Sequence, residues 1–204
     1  MTDTLLQPRF AWDTVAQSGR FGHLEGPAGV RAHLVTSMGL ALVMPAPGQT
    51  RACLERLAAA YGSTLAACTD RRRVHTPGLD LLWSGPDRYL ACMPATDDIE
   101  TELGRVCGPA AAVVDQSDGR FLLRLSGPGV RKTLAKGFTI DLHPRAFAVN
   151  DTALTLLSHL SVQLTWVDET PTFEMVAPRA AAGDVWAWLE ASAAEFGLEL
   201  TQGS

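Results

Sequence analysis

Apolar positions along the chain come in short runs separated by turns rich in glycine, proline and serine. The run "LALVM" (40–44) reads as a buried strand, and "PAPGQT" as the turn after it. A helix is predicted from about Arg51 to Tyr61. Thr50 is its N-cap, and Leu54, Leu57, Ala58 and Tyr61 share one face. "LDLLW" (79–83) and "RYLACM" (88–93) flank "SGPD" as a hairpin. A second helix is expected from Thr96. Asp97 and Glu100 suit its positive end, and Ile99, Leu103 and Val106 form its stripe.

The second half repeats this order. "FLLRL" (121–125) is the strand and "SGPG" the turn, with a helix from Pro128 through Val130 and Leu134 to a stop at Gly137. "TALTLL" (152–157) is an additional strand. "VQLTW" (162–166) and "TFEMV" (172–176) form a hairpin across "VDETP", and their strict alternation predicts one buried face. A helix from about Ala181 to Phe196 buries Val185, Leu189 and Phe196 and ends at Gly197. The spacing from Trp83 to Trp166 and from Pro94 to Pro178 gives the repeat a period of roughly 83 residues. The fold class is therefore α+β, an internal duplication of two strand-helix-hairpin-helix units over 37–110 and 111–204. Gly19, Gly22, Gly26, Pro27 and Gly29 interrupt any period in residues 1–36, which read as an extended N-terminal arm.

With 47% hydrophobic and 19% charged residues the chain can bury a core and does not match a disordered composition. Its net charge of −5 argues against nucleic-acid binding. The basic run Arg71-Arg72-Arg73 reads as a solvated turn or a salt-bridge site. No apolar run reaches the roughly 18–20 residues that span a bilayer, and the first residues lack a secretory pattern. Cys53, Cys68, Cys92 and Cys107 show no C-x-x-C pair and no zinc spacing, so all four read as reduced thiols in a cytoplasmic protein.

Candidate chemistry is sparse. "SGPGVRKT" (126–133) has Ser126 and Arg131 where a phosphate loop needs glycines. "DQSDG" (115–119) half-matches a nucleophile elbow but precedes a strand, so Asp118-Gly119 reads as a turn with Ser117 bonding local backbone. His159 reads as a surface residue. The carboxylates Asp97, Asp98, Glu100 and Glu102 read as a complement to the helix dipole and a solvated face. No dinucleotide fingerprint occurs. The expectation is no catalytic, cofactor-binding or metal residue on this chain. Asp141, His143, Pro144, Arg145 and Phe147 in "DLHPRAF" stand out, with Pro144 biasing His143 to extended backbone. They form a rigid corner, a partner-facing contact or, least of all, a catalytic base.

The stretch "VDQSDGRFLLRLSGPGVRKTLAKGFTIDLHPRAF", followed by "TLLSHLSVQLTW" and "PTFEMVAPR", resembles the gamma subunits of heterotetrameric sarcosine oxidases over roughly 37–197. "GPDRYL" (85–90) adds to it. More distantly, "LRLSGPGVRKTLAKGFTIDL" resembles the folate-binding domain of the aminomethyltransferase superfamily, itself two α+β units that exchange strands. The resemblance implies a non-catalytic, assembly subunit of an enzyme that oxidatively demethylates sarcosine to glycine. It implies alpha, beta and delta subunits as partners. FAD, FMN, NAD, tetrahydrofolate and zinc would sit on those other subunits, with no cofactor here. Arg120, Asp141, His143, Arg145 and Phe147 are carried as partner-interface or structural-corner residues, and the isolated chain is expected to expose an apolar patch or to self-associate to cover it. The alternatives are a self-sufficient tetrahydrofolate-binding or one-carbon-transfer protein, and a gamma-like subunit of a related N-methyl amino acid dehydrogenase.

Overall fold

The computed structural model describes residues 12–96 and 98–203. The chain opens with β1 (Gly19–Phe21) and β2 (Val30–Val35), then passes through β3 (Met38–Pro45), α1 (Thr50–Tyr61), β4 (Arg73–His75), β5 (Asp80–Trp83), β6 (Tyr89–Pro94), α2 (Ile99–Cys107) and β7 (Ala111–Asp115). It continues through β8 (Arg120–Ser126), α3 (Val130–Leu134), β9 (Thr152–Leu157), β10 (Leu160–Asp168), β11 (Thr172–Pro178), α4 (Ala182–Ala193) and β12 (Leu198–Gly203). Strands β4-β5-β6-β3-β7 make a five-stranded sheet, and β1-β12-β2-β8-β11-β10-β9 a seven-stranded one.

The period-2 pattern decides which side of each strand meets which layer. On β3 and β6, Ala41, Val43, Tyr89, Ala91 and Met93 pack with Cys53, Leu57, Ile99 and Leu103 of α1 and α2. On β8 and β11, Leu123, Leu125, Phe173 and Met175 pack with Val130 and Leu134 of α3 and Val185 and Leu189 of α4. The alternate residues Leu40, Leu82, Leu90, Cys92, Leu122 and Val176 form a third core between the two sheets. The order is helices, sheet, sheet, helices. Each fully buried leucine in these cores contributes about 1.5–3 kcal/mol.

Sheet-on-sheet packing changes one sequence expectation. β10 and β11 are buried on both faces, so the alternation of the second hairpin marks apolar against polar interior. Gln163 is buried and donates from Nε2 to the Trp83 carbonyl of the other sheet at 2.8 Å. Buried Glu174 accepts two hydrogen bonds from Arg124, at 3.0 and 2.6 Å. These polar groups survive between the sheets because each has a partner there.

Residues 12–35 correct the reading of an extended arm; residues 1–11 lie outside the described structure. Trp12 is fully buried, and β2 sits inside the large sheet, antiparallel to β8 and parallel to β12. Two of the glycines that break the period in this segment, Gly22 and Gly29, belong to close backbone contacts. A Cβ on Gly29 would come within 2.6 Å of the Phe196 carbonyl oxygen, and the Gly29 amide donates to that oxygen at 2.8 Å. The boundary at residue 111 also moves. β7 pairs antiparallel with β3, so 111–115 complete the small sheet and the second unit starts after them.

Strand "TALTLL" has a counterpart. β4-β5-β6-β3 and β9-β10-β11-β8 follow the same order, and β4 is the shorter equivalent of β9. Helix starts shift as well. Thr50 lies inside α1 and donates to Asp87 at 2.6 Å, so it does not cap the helix. Asp98 caps α2 by accepting from the Thr101 amide at 2.8 Å, which moves that helix start from Thr96 to Ile99. α3 is a short helix that begins at Val130, two residues beyond Pro128.

Candidate functional site

The corner that follows α3 is tied down from both sides. Leu142 and Phe147 are buried in the large-sheet core, whereas His143, Pro144, Arg145 and Ala146 between them are exposed. Asp141 Oδ1 accepts the His143 amide at 2.8 Å, a turn that short acidic side chains favour. The His143 carbonyl accepts the amides of Ala146 at 2.8 Å and Phe147 at 3.0 Å. The Arg145 amide donates to His143 Nδ1 at 3.2 Å, so the neutral ring carries its proton on Nε2. Asp141 therefore grips the backbone of His143 and leaves its ring alone, which is not the arrangement of a carboxylate-oriented general base.

Two residues that the sequence reading passed over hold this corner. Arg131 of α3 donates from Nη1 to the Leu142 carbonyl at 2.6 Å. Its guanidinium lies 3.8 Å from the ring centre of Trp166 and 5.0 Å from that of Phe173. Burial holds the Arg131 pKa below the usual guanidinium value. Asp151 accepts the Ala148 amide at 2.7 Å through Oδ2 and meets Arg72 Nη1 at 2.5 Å through Oδ1. Their roles were hidden because the Trp166 and Phe173 rings under Arg131 and the Arg72 partner of Asp151 are far away along the chain.

Arg72 and Arg73 of the arginine run form a salt-bridge site that joins the outer strands of the two sheets, while Arg71 stays exposed. Arg73 is nearly buried, bonds Asp80 at 2.9 and 2.5 Å and reaches Asn150 at 3.2 Å. Arg72 bridges to Asp151 and so couples β4 to the lead-in of β9.

Arg120 stands apart from the corner, at the opposite end of β8. It lines a cleft of about 600 Å³ where the chain crosses between sheets, together with Leu34, Met38, Ser117, Phe121 and Arg179. Arg120 Nε donates to Gln116 Oε1 at 3.2 Å. Ser117 bonds backbone as expected, but not local backbone. Its Oγ accepts the Leu40 amide at 3.0 Å and donates to the Leu40 carbonyl at 3.3 Å. That hydroxyl ties the connection between β7 and β8 to β3. Glu100 and Glu102 are likewise more than a solvated face: Glu100 accepts the Asp115 amide and Glu102 the Tyr61 hydroxyl.

All four cysteines are free and buried. Burial pushes the Cys68 thiol up to about 12 and raises Cys92 well above its ordinary value. Cys53 is raised by its hydrogen bond to Cys107, 4.0 Å away, and then by burial. A raised pKa keeps the thiol protonated at and above neutral pH, and only the thiolate attacks. Native protein at mildly alkaline pH is thus expected to resist iodoacetamide at Cys53, Cys68 and Cys92, and at Cys107 through its full burial alone, because the hydrogen bond from Cys53 lowers the Cys107 pKa; denaturant permits full alkylation. Rapid alkylation of any cysteine in the folded chain, read by mass spectrometry, contradicts this packing. Among the described residues no three His, Cys, Asp or Glu side chains gather as a metal site, and no helix is long and apolar enough to cross a membrane.

Two sheets packed face to face, each covered by its own helices, define a fold that solved structures share. The glycine cleavage system aminomethyltransferase T from Bartonella henselae superposes with a TM-score of 0.65 at 18% identity, over 85% of this chain and 48% of that one. A chain of the heterotetrameric sarcosine oxidase from Corynebacterium sp. U-96, in complex with pyrrole 2-carboxylate, superposes with a TM-score of 0.70. It is 26% identical and covers 82% of this chain and 85% of that chain. The family model described as sarcosine oxidase, gamma subunit family, matches residues 58–195. The sarcosine oxidase subunit gamma of Corynebacterium sp. (strain U-96) is 33% identical over 165 residues, 79% of this chain and 76% of its own length. That of Arthrobacter sp. is 38% identical over 109 residues, 53% of this chain, and the match spans about half of the relative, 54%. The chain belongs to the sarcosine oxidase gamma subunit family.

Proposed function

We propose that this chain is a non-catalytic assembly subunit of a heterotetrameric sarcosine oxidase, a complex that oxidatively demethylates sarcosine to glycine. The observation that carries the reading is its likeness, over most of its length, to a chain of an enzyme described as heterotetrameric. Its partners in this reading are the alpha, beta and delta subunits. FAD, FMN, NAD, tetrahydrofolate and zinc belong to those partners.

The side chains that looked most like chemistry support a scaffold role. Ser117 is engaged with Leu40 backbone, the Asp141 carboxylate with a backbone amide, and Phe147 with the core. His143 and Arg145 are exposed on a corner braced from beneath by Arg131 and Phe147, and in this reading they face a partner. A rigid base under exposed polar groups suits a contact surface, since little side-chain and loop order remains to be lost on binding.

The test is expression of the chain alone and together with the other three subunits. Alone, it is expected to carry no flavin absorbance and to show no sarcosine turnover; together, it co-purifies with an active complex. Turnover by the isolated chain overturns the reading.

A further inference from the structure

Four strands border the two sheets, and three of them are protected against pairing. β1 and β4 are three residues long and carry Arg20 and Arg73, and the outward Asp115 amide of β7 is capped by Glu100 Oε2 at 3.1 Å. Short length, charge and side-chain capping are the usual defences of a sheet edge. β9 has none of them. It is six residues long, "TALTLL", without a charge, and its Leu154 and Leu156 side chains are 49% and 45% exposed.

The hydrogen bonds show where this edge is open. On the side away from β10, the Thr152 amide donates to the Arg71 carbonyl at 2.9 Å and the Ser158 amide to the Gly137 carbonyl at 2.8 Å. Alternation along the strand puts the Leu154 amide and carbonyl on that same outward side. Among the described residues no backbone hydrogen bond crosses the edge at Leu154. Bridges at Arg72–Asp151 and Phe138–Leu157 close the slot at its two ends.

We infer that this slot receives an extended segment of a partner subunit, apolar along Leu154 and Leu156 and acidic at the Arg71 end, which adds to the large sheet as a short eighth strand. This rests on the reading of the chain as a subunit of a larger complex. The segment pairs with the Leu154 backbone and rests apolar side chains on Leu154 and Leu156. The slot holds about three to four residues at roughly 3.3 Å each. Arg71 at one end is exposed and has no side-chain partner among the described residues, so an acidic residue of the segment complements it there. A second copy of this chain does not fit. Its own β9 is flanked by the same two segments, and in an antiparallel pairing they collide with those of the first copy.

Hydrogen exchange and co-purification test this together, with the wild-type chain, Leu154→Pro, the double variant Leu154→Lys/Leu156→Lys and a control, Leu24→Lys, each co-expressed with the other three subunits. Leu24 is an exposed leucine outside the edge. The outward Leu154 amide makes Pro tolerable in the isolated fold, and unchanged melting of each variant verifies this. The expected result is slower exchange of the Leu154 amide in the wild-type complex than in the free chain, with at least about a tenfold loss of co-purifying partners for both edge variants and none for Leu24→Lys. Wild-type-like assembly of both edge variants, with equal exchange in the free and assembled chain, overturns the slot and leaves the subunit reading intact. Failure of the wild-type chain to assemble overturns the subunit reading and the occupant with it. Protection at Leu154 that grows with concentration of the isolated chain assigns the slot to a second copy and overturns the inference.

Discussion

Replacing Trp12 by alanine is expected to destabilise the chain by about 3–5 kcal/mol, the usual cost of removing a buried large aromatic residue. Trp12 is fully buried, with Phe121 edge-on at 5.4 Å between ring centres and Trp186 at 5.8 Å. These rings lie on β8 and α4, so the N-terminal segment closes one end of the large-sheet core. For a chain of this size such a loss lowers the melting temperature by roughly 6–20 °C. Urea or thermal unfolding reads it directly. A change below about 1 kcal/mol, the scale of a surface substitution, returns Trp12 to the arm that composition suggested and contradicts the core described above.

The second large effect is Gly127→Ala, in the "SGPG" turn. Gly127 has φ of +109°, a conformation open to glycine and strained for alanine. A Cβ there also lands 2.5 Å from the Gly29 carbonyl oxygen, closer than real Cβ contacts allow. That oxygen cannot withdraw cheaply, because it accepts the Gly129 amide at 2.8 Å and belongs to the lead-in of β2. Strain and clash together are expected to cost about 3 kcal/mol or more. An alanine variant that melts with the wild-type chain shows that the turn does not sit against Gly29. The expected result also explains the glycines of this motif. They admit a neighbouring backbone rather than a phosphate.

These two sites show what could be read in the sequence. Elements whose signal is local were legible: the hairpins on either side of "SGPD" and "VDETP", the stripe of α2, and the stop at Gly197, where φ is +71°. β2 was missed although Val30, Ala32 and Leu34 alternate, because the glycines beside it suggested irregular chain instead of close backbone packing. β12 and β7 carry six and five residues of weak pattern, and their pairing with β2 and β3 follows from tertiary order. At the corner, the burial of Phe147 followed from residue type. Arg131 and Asp151 did not, because what makes them important is the distant Trp166, Leu142 and Arg72. His143 drew attention as a candidate base by composition. Its surroundings show a ring that accepts one amide on an exposed turn.

Native mass spectrometry of the four co-expressed subunits tests the central claim most directly. The account predicts one dominant complex that contains one copy of this chain, oxidises sarcosine, and loses assembly or stability when the chain is left out. A complex of the other three subunits that forms and turns over sarcosine equally well without it, while this chain elutes free, would contradict that claim.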